Sequence, residues 1–274
     1  KEYPEKWGPD CGIDLVFKHT NGETWAVQAK CYSPNYSITK ADVDTFLSES
    51  GRHGIDKRLL IATTDLISAN AKQVCDAPQA KEVTRFMLSH FESSSQEYPK
   101  RIEDLDKPKK KKIPEPRAHQ IEAIAAVAKQ FKTVRRGQRF MAGGTGKTYT
   151  TLWVKEKLAA QNTLVLLPSL GLLSQTLHEW AATRIKPFKA LCVCSDQSVG
   201  KKDEDESIMS VSDLGFPVTS DVKVIQKFIN GTGTRVIFST YQSSPLIADA
   251  QKNKKLPAFD LVIADEAHRC AGKV

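Results

Sequence analysis

Gly143-Gly144-Thr145-Gly146-Lys147-Thr148 is the stretch that decides how the second half of the chain folds. It follows an apolar run around Phe140, read as a strand, and opens a helix expected to reach about Ala160. A glycine-rich turn at that place points backbone N–H groups at phosphates, and the helix N-terminus adds positive potential. Lys147 then reaches the β and γ phosphates of ATP and Thr148 holds Mg2+. The strict GxxxxGK[ST] spacing wants glycine where this chain has Met141, so the turn alone leaves a chance match open. Downstream, Leu261-Val262-Ile263-Ala264 reads as a buried strand ending in Asp265-Glu266-Ala267-His268. A carboxylate there holds the cation through water, and the neighbouring Glu266 orients the attacking water. A surface acidic turn beside an unrelated glycine loop explains each motif singly, but the two together specify an ATP site.

Working outward, strands and helices alternate as in a parallel sheet. Thr163 to Leu167, Ala190 to Cys194, Arg235 to Ser239 and Asp260 to Ala264 are short apolar strands. Ile121, Ile124, Val127 and Phe131 recur at helical spacing, while Lys201 to Thr219 is polar and irregular. Upstream, Ser93 to Ser95, the run Lys107-Pro108-Lys109-Lys110-Lys111-Lys112, Pro114 and Pro116 supply no core and read as a linker. The lysine run is a solvated tether or a phosphate contact.

The 274 residues suit two domains, and 40% hydrophobic residues supply each with a core. A formal net charge of +8 favours an anionic partner, with nucleic acid the first candidate. The six cysteines lack CxxC spacing, and Cys192 and Cys194 alternate as buried strand residues rather than metal ligands. Neither a signal peptide nor a long apolar span is visible, so a soluble, cytoplasmic protein without membrane contact is expected. The chain starts at a residue other than Met and stops in mid-motif, the expectation for a piece of a longer protein.

The first half reads strand, strand, helix, strand from Ile13 to Ala62. Asn21-Gly22 is a hairpin turn joining Ile13–Phe17 to Thr24–Lys30, and Thr39 is an N-cap for a helix carrying Val43, Phe46 and Leu47. Lys81 to Phe91 has helical spacing. Gln28 and Lys30, two apart, share one strand face, and the hairpin sets that face beside Asp14. An acid, a neutral oxygen ligand and a lysine in one cluster suit metal-assisted phosphodiester cleavage. An exposed hairpin with scattered polar residues fits the spacing equally well.

The motifs carry resemblances. Asp265-Glu266-Ala267-His268 resembles motif II of superfamily-two helicases, and the run through Thr148 resembles motif I. Pro116-Arg117-Ala118-His119-Gln120 resembles their adenine-reading motif, which implies that Arg117 and Gln120 contact the base. Leu166-Leu167-Pro168-Ser169 and Ser239-Thr240-Tyr241-Gln242 resemble motifs Ia and Ib, which in that family touch the nucleic-acid backbone. The first half resembles Mrr-like PD-(D/E)xK nucleases in which Gln replaces the middle acid. That resemblance makes Asp14, Gln28 and Lys30 the catalytic set, with Asp14 and Gln28 on the metal. Gln28 is neutral, so a further carboxylate is wanted, and Asp10 is one candidate. The order is similar to the N-terminal part of single-chain Type ISP restriction–modification enzymes.

The expected fold is α/β: an Mrr-like restriction-endonuclease core over 1–92, a basic linker over 93–116, and a RecA-like P-loop lobe over 117–274. The ATP set is Arg117, Gln120, Gly143, Gly144, Thr145, Gly146, Lys147, Thr148 and Asp265, with Glu266 catalytic and Thr148 and Asp265 on Mg2+. The resemblance implies ATP-dependent cleavage of and movement on double-stranded DNA. It also implies a parent protein with a second RecA-like lobe, an adenine methyltransferase and a target-recognition domain. A repair or phage-defence nuclease–helicase without a methyltransferase, or a DNA-binding tether with an inactive nuclease fold, are the other readings.

Overall fold

The computed structural model describes residues 12–19, 22–51, 54–77, 81, 83–93, 101, 103, 114–194, 214–216, 218–252 and 256–267. The chain divides into two compact units, Lys1–Ser94 with Ser207–Pro217, and Ser95–Glu206 with Val218–Val274. The linker's lysine run and most of the polar stretch from Lys201 lie outside the described residues. Among the described residues, no helix is long and apolar enough to cross a membrane.

In the first unit, β1 (Leu15–Lys18) and β2 (Thr24–Lys30) form the expected antiparallel hairpin. Gly22 takes φ +97°, a conformation open to glycine at little cost, and its N–H closes the turn on the His19 carbonyl at 2.9 Å. β3 (Lys57–Ala62) and β4 (Val83–Phe86) add in parallel, giving the order β1-β2-β3-β4. Two helices, α1 (Lys40–Glu49) and α2 (Ala69–Cys75), supply the core against this sheet. Val43, Phe46, Ala71 and Cys75 pack with Ala26, Leu60 and Ala62. Burying one large apolar side chain contributes roughly 1.5–3 kcal/mol, so packing rather than capping sets where α1 lies.

The cap fixes where α1 begins. Thr39 is the N-cap, as expected, and Asp42 completes a capping box. The Asp42 carboxylate accepts from the Thr39 N–H at 2.8 Å, the Thr39 hydroxyl at 2.7 Å, Tyr32 at 2.8 Å and Tyr36 at 2.9 Å. Burial opposes its charge, but these donors override burial and hold its pKa down to about 2.

One expectation needs correction here. Lys81 to Phe91 is not one helix: Val83–Phe86 is strand β4, followed by the short helix α3 (Leu88–Ser93). Val83, Thr84 and Arg85 are buried against β3, where β-branched residues suit a covered pleat better than a helix. Helix α2 has too little apolar content for helical spacing to mark it, although Ser68 caps it by accepting from the Ala71 N–H at 3.3 Å.

The second unit holds α4 (Ala118–Gln130), α5 (Lys147–Lys157), β5 (Asn162–Leu167), α6 (Leu170–Thr183) and β6 (Lys189–Val193). Then come β7 (Val218–Thr219), α7 (Val222–Ile229), β8 (Arg235–Thr240), α8 (Ser244–Gln251) and β9 (Leu261–Ala264). The strands form a parallel sheet in the order β7-β6-β8-β5-β9. Every residue of β8 is buried, the pattern of a strand covered on both faces. Cys192 and Cys194 are buried as expected, and burial pushes the Cys194 thiol up to about 12.

The run around Phe140 is not a strand, and Phe140 is 90% exposed. A strand needs a hydrogen-bonded neighbour, and among the described residues β9 pairs on its β5 side alone. The apolar stripe of α4 holds in part: Ile124, Val127 and Phe131 are half-buried on the face of buried Gln120, while Ile121 is 55% exposed.

The depressed pKa of Asp42 gives a pH test. Its contribution to stability is complete above the unfolded value of 3.8 and is lost as pH falls through about 2. Asp42→Ala is expected to cost ~1 kcal/mol at neutral pH. The gap between wild type and variant in denaturant melts should close below about pH 2.

Candidate active sites

The first candidate site lies where β1 begins. Gly12 takes φ +67°, and a Cβ there would meet the Phe46 N atom at 3.0 Å, so the turn runs against α1 where only glycine fits. Asp14 follows. Its N–H donates to the Val27 carbonyl at 2.9 Å, and its Oδ2 accepts from the Ala29 N–H at 2.6 Å. Leu15 pairs with Val27, so Asp14 stands opposite Gln28, one step beyond that register. Alternation then puts Asp14, Gln28 and Lys30 on one face, the face that carries Ala26 and Leu60. Asp14 is exposed, Lys30 is half-buried, and Gln28 is 3% exposed. The Gln28 Oε1 is buried and accepts no hydrogen bond among the described residues. Such an atom costs about 1–3 kcal/mol unless something else engages it. Asp10 lies outside the described residues.

The second candidate site is at the C-terminal edge of the parallel sheet. Gly146, at φ +77°, is the N-cap of α5, with Lys147 and Thr148 in its first turn. Gly144 is also left-handed, and Cβ atoms at Gly143 and Gly144 would meet open space. The loop is therefore unobstructed where phosphates would lie. Gln120 grips it from behind. Its Oε1 accepts from the Arg117 N–H at 2.8 Å, and its Nε2 donates to the Thr145 carbonyl at 3.1 Å and the Gly146 carbonyl at 3.3 Å. Arg117 is the exposed N-cap residue of α4.

Motif II comes to the same place. β9 pairs with β5, and the Asp265 N–H donates to the Leu166 carbonyl at 2.9 Å. Lys147 Nζ donates to Glu266 Oε1 at 2.7 Å, and this bond raises the lysine's pKa against the opposing effect of burial. Glu266 takes φ +50°, a left-handed backbone that costs a non-glycine residue roughly 1–2 kcal/mol. Two contacts were not legible in the motifs. The Tyr241 hydroxyl donates to the Asp265 carbonyl at 2.5 Å, and Trp180 Nε1 donates to the Thr148 carbonyl at 3.0 Å. Their common signal is a large polar aromatic in a segment beside the sheet's active edge.

Residues 113–273 match the family described as the res subunit of Type III restriction enzymes. The chain belongs to that family. Residues 1–107 match a second family, described as restriction endonuclease, so a nuclease domain precedes the helicase-type res domain. A solved structure of the ATP-dependent Type ISP restriction-modification enzyme LlaBIII bound to DNA aligns with 98% of this chain. The TM-score is 0.81 at 31% identity, over 18% of that enzyme's chain. Two proteins named probable helicase, from Kenyan pig and Malawian tick isolates of African swine fever virus, are each 30% identical over 159 residues. Those alignments cover 58% of this chain and 16% of each viral protein. The chain thus spans about one sixth of the curated relatives it matches.

A restriction nuclease joined to a res-type ATPase uses ATP and a divalent cation. Hard divalent cations take oxygen ligands, and the orphaned Gln28 Oε1 beside Asp14 fits that need. Among the described residues, no group of three or more His, Cys, Asp or Glu could hold a metal. At the other site, the open loop mouth at Gly143 and Gly144, with Thr148 below and Asp265 at the strand end, fits a nucleotide with its cation.

Gln28 gives a test that does not read activity. Gln28→Leu keeps the volume and removes the buried orphan. The metal-free protein should become more stable by ~1 kcal/mol. Any rise in Tm that a divalent cation gives the wild-type nuclease domain should disappear in the variant. A variant that loses metal-free stability while keeping the cation-dependent rise would show Gln28 to be purely structural.

Proposed function

We propose that this chain is the nuclease domain and first motor lobe of an ATP-dependent DNA endonuclease of restriction–modification. The observation that carries the motor reading is the 2.7 Å ion pair between Lys147 and Glu266. It joins the phosphate loop to the acidic strand end, two segments that sequence reading had linked by chemistry alone. The nuclease reading is supported by Asp14 standing opposite the orphaned amide of Gln28, with Lys30 on the same face. The domain boundaries that go with this reading are 1–92, 93–116 and 117–274. Double-stranded DNA is the partner and the cytoplasm the site of action.

In the motor, Lys147 binds the β and γ phosphates, and Thr148 and Asp265 hold Mg2+, which offsets phosphate charge when bound. Glu266 releases Lys147 to the nucleotide and orients water for hydrolysis. Gln120 keeps the loop carbonyls turned back so that the loop N–H groups face the phosphates. In the nuclease, Asp14 and Gln28 hold Mg2+, and Lys30 places positive charge at the scissile phosphate. A second motor lobe, an adenine methyltransferase and a target-recognition domain complete the proposed parent protein.

Three single variants of the full-length protein test this. Asp14→Ala and Lys30→Ala should each abolish nicking of DNA while DNA-dependent ATP hydrolysis persists. Lys147→Ala should lower translocation, followed by triplex displacement, roughly 100- to 1,000-fold. Nicking by Asp14→Ala at the wild-type rate would make the first domain a binding module. Wild-type translocation by Lys147→Ala would remove the motor assignment.

A further inference from the structure

Tyr241 lies outside both clusters of candidate catalytic residues, at the end of β8 in the short turn Tyr241–Ser243. Its hydroxyl reaches past the end of β5 to the carbonyl of Asp265, the residue after β9, at 2.5 Å. That span crosses two strand spacings of about 4.8 Å each, a reach that calls for a long, rigid side chain. The turn that carries the ring is itself fixed. The Ser244 hydroxyl donates to the Tyr241 carbonyl at 2.7 Å, and the Thr240 hydroxyl donates to Ser243 Oγ at 3.1 Å.

The carbonyl that Tyr241 holds belongs to the peptide preceding Glu266. That residue has the left-handed backbone, and its carboxylate meets Lys147. A strained φ persists only where the surroundings over-determine it. Three bonds do so here: Tyr241 to the Asp265 carbonyl, the Asp265 N–H to Leu166, and the Glu266 N–H to Asp265 Oδ1 at 3.1 Å.

We propose that Tyr241 is a positioning residue for ATP hydrolysis, clamping the Asp265–Glu266 peptide so that Glu266 keeps its aim after Lys147 leaves it for the nucleotide. The inference rests on the motor reading. When ATP draws Lys147 away from Glu266, the Tyr241 bond to the preceding carbonyl stays in place. With the peptide clamped, the carboxylate turns about its own side-chain torsions while its Cα stays in place. Tyr241 touches neither phosphate nor water in this role and acts through Glu266.

The test is a double-mutant cycle on ATP hydrolysis by the full-length protein with DNA present. Tyr241→Phe removes one hydroxyl and keeps the ring. It should lower kcat about tenfold and leave KM for ATP within about twofold, because the lost interaction acts in the hydrolytic step. Glu266→Gln should lower kcat further. In that background Tyr241→Phe should change the residual rate less than about twofold, since residues that act as a unit are non-additive. Unchanged kcat in Tyr241→Phe overturns the proposal. So does a full tenfold loss in the Glu266→Gln background, or a rise in KM that accounts for the whole effect. A wild-type protein that hydrolyses no ATP on DNA overturns the motor reading itself, an outcome distinct from these. Tyr241→Leu provides a second variant, expected to match Tyr241→Phe in kcat if the hydroxyl is what matters.

Discussion

The parallel pairing of β5 with β8 on one side and β9 on the other is the constraint on which the motor site depends. Parallel strands in register end together. Leu166 and Leu167 of β5, Ser239 and Thr240 of β8, and Ala264 of β9 therefore finish at one edge. Each strand then delivers its next residues to that edge: Ser169 capping α6, Tyr241 in its turn, and Asp265 with Glu266. Segments far apart in sequence become neighbours through backbone hydrogen bonding alone. Side chains add the fine adjustment, and the Lys147–Glu266 pair and the Tyr241 hydroxyl are both of that kind.

The nuclease site is built on another logic. Its three candidates share a sheet face with the apolar core rather than a strand edge. That face is covered toward α1 and α2, so burial falls on Gln28 while Asp14 stays exposed. A carboxylate at position 28 would bear a far larger desolvation cost than an amide. The neutral side chain is thus compatible with deep burial in a way the acid of related motifs is not. Asp14 is tied by its own Oδ2 to the neighbouring strand, which fixes its place.

How much of this was legible in sequence follows from how local each signal is. The glycine turn, the acidic strand end, the Gly22 hairpin and the Thr39 cap are all set by residues within a few positions, and the structure forms each of them. Strand β4 was misread because its burial comes from β3, some two dozen residues earlier, and spacing inside Val83–Phe86 does not record it. Phe140 was misread for the opposite reason: its apolar run has strand character but no neighbour to pair with among the described residues. The stripe on α4 named the right helix and, in half-buried Ile124, Val127 and Phe131, its inward face, with exposed Ile121 the one residue that falls beside it. Gln120, a polar residue, is the one buried there, because the phosphate-loop carbonyls need its amide. The partner of Tyr241 is set by strand order, which no local pattern encodes.

Among the described residues β9 pairs on its β5 side alone, and this carries a consequence for handling the protein. Val262 is 53% exposed on that strand, and Phe140 stands nearly bare. An open strand flank offers a ladder of N–H and C=O groups to any extended chain that approaches. Two copies of this polypeptide at high concentration therefore have a ready way to join sheet edge to sheet edge. Self-association by strand addition is the solution behaviour that such a flank favours.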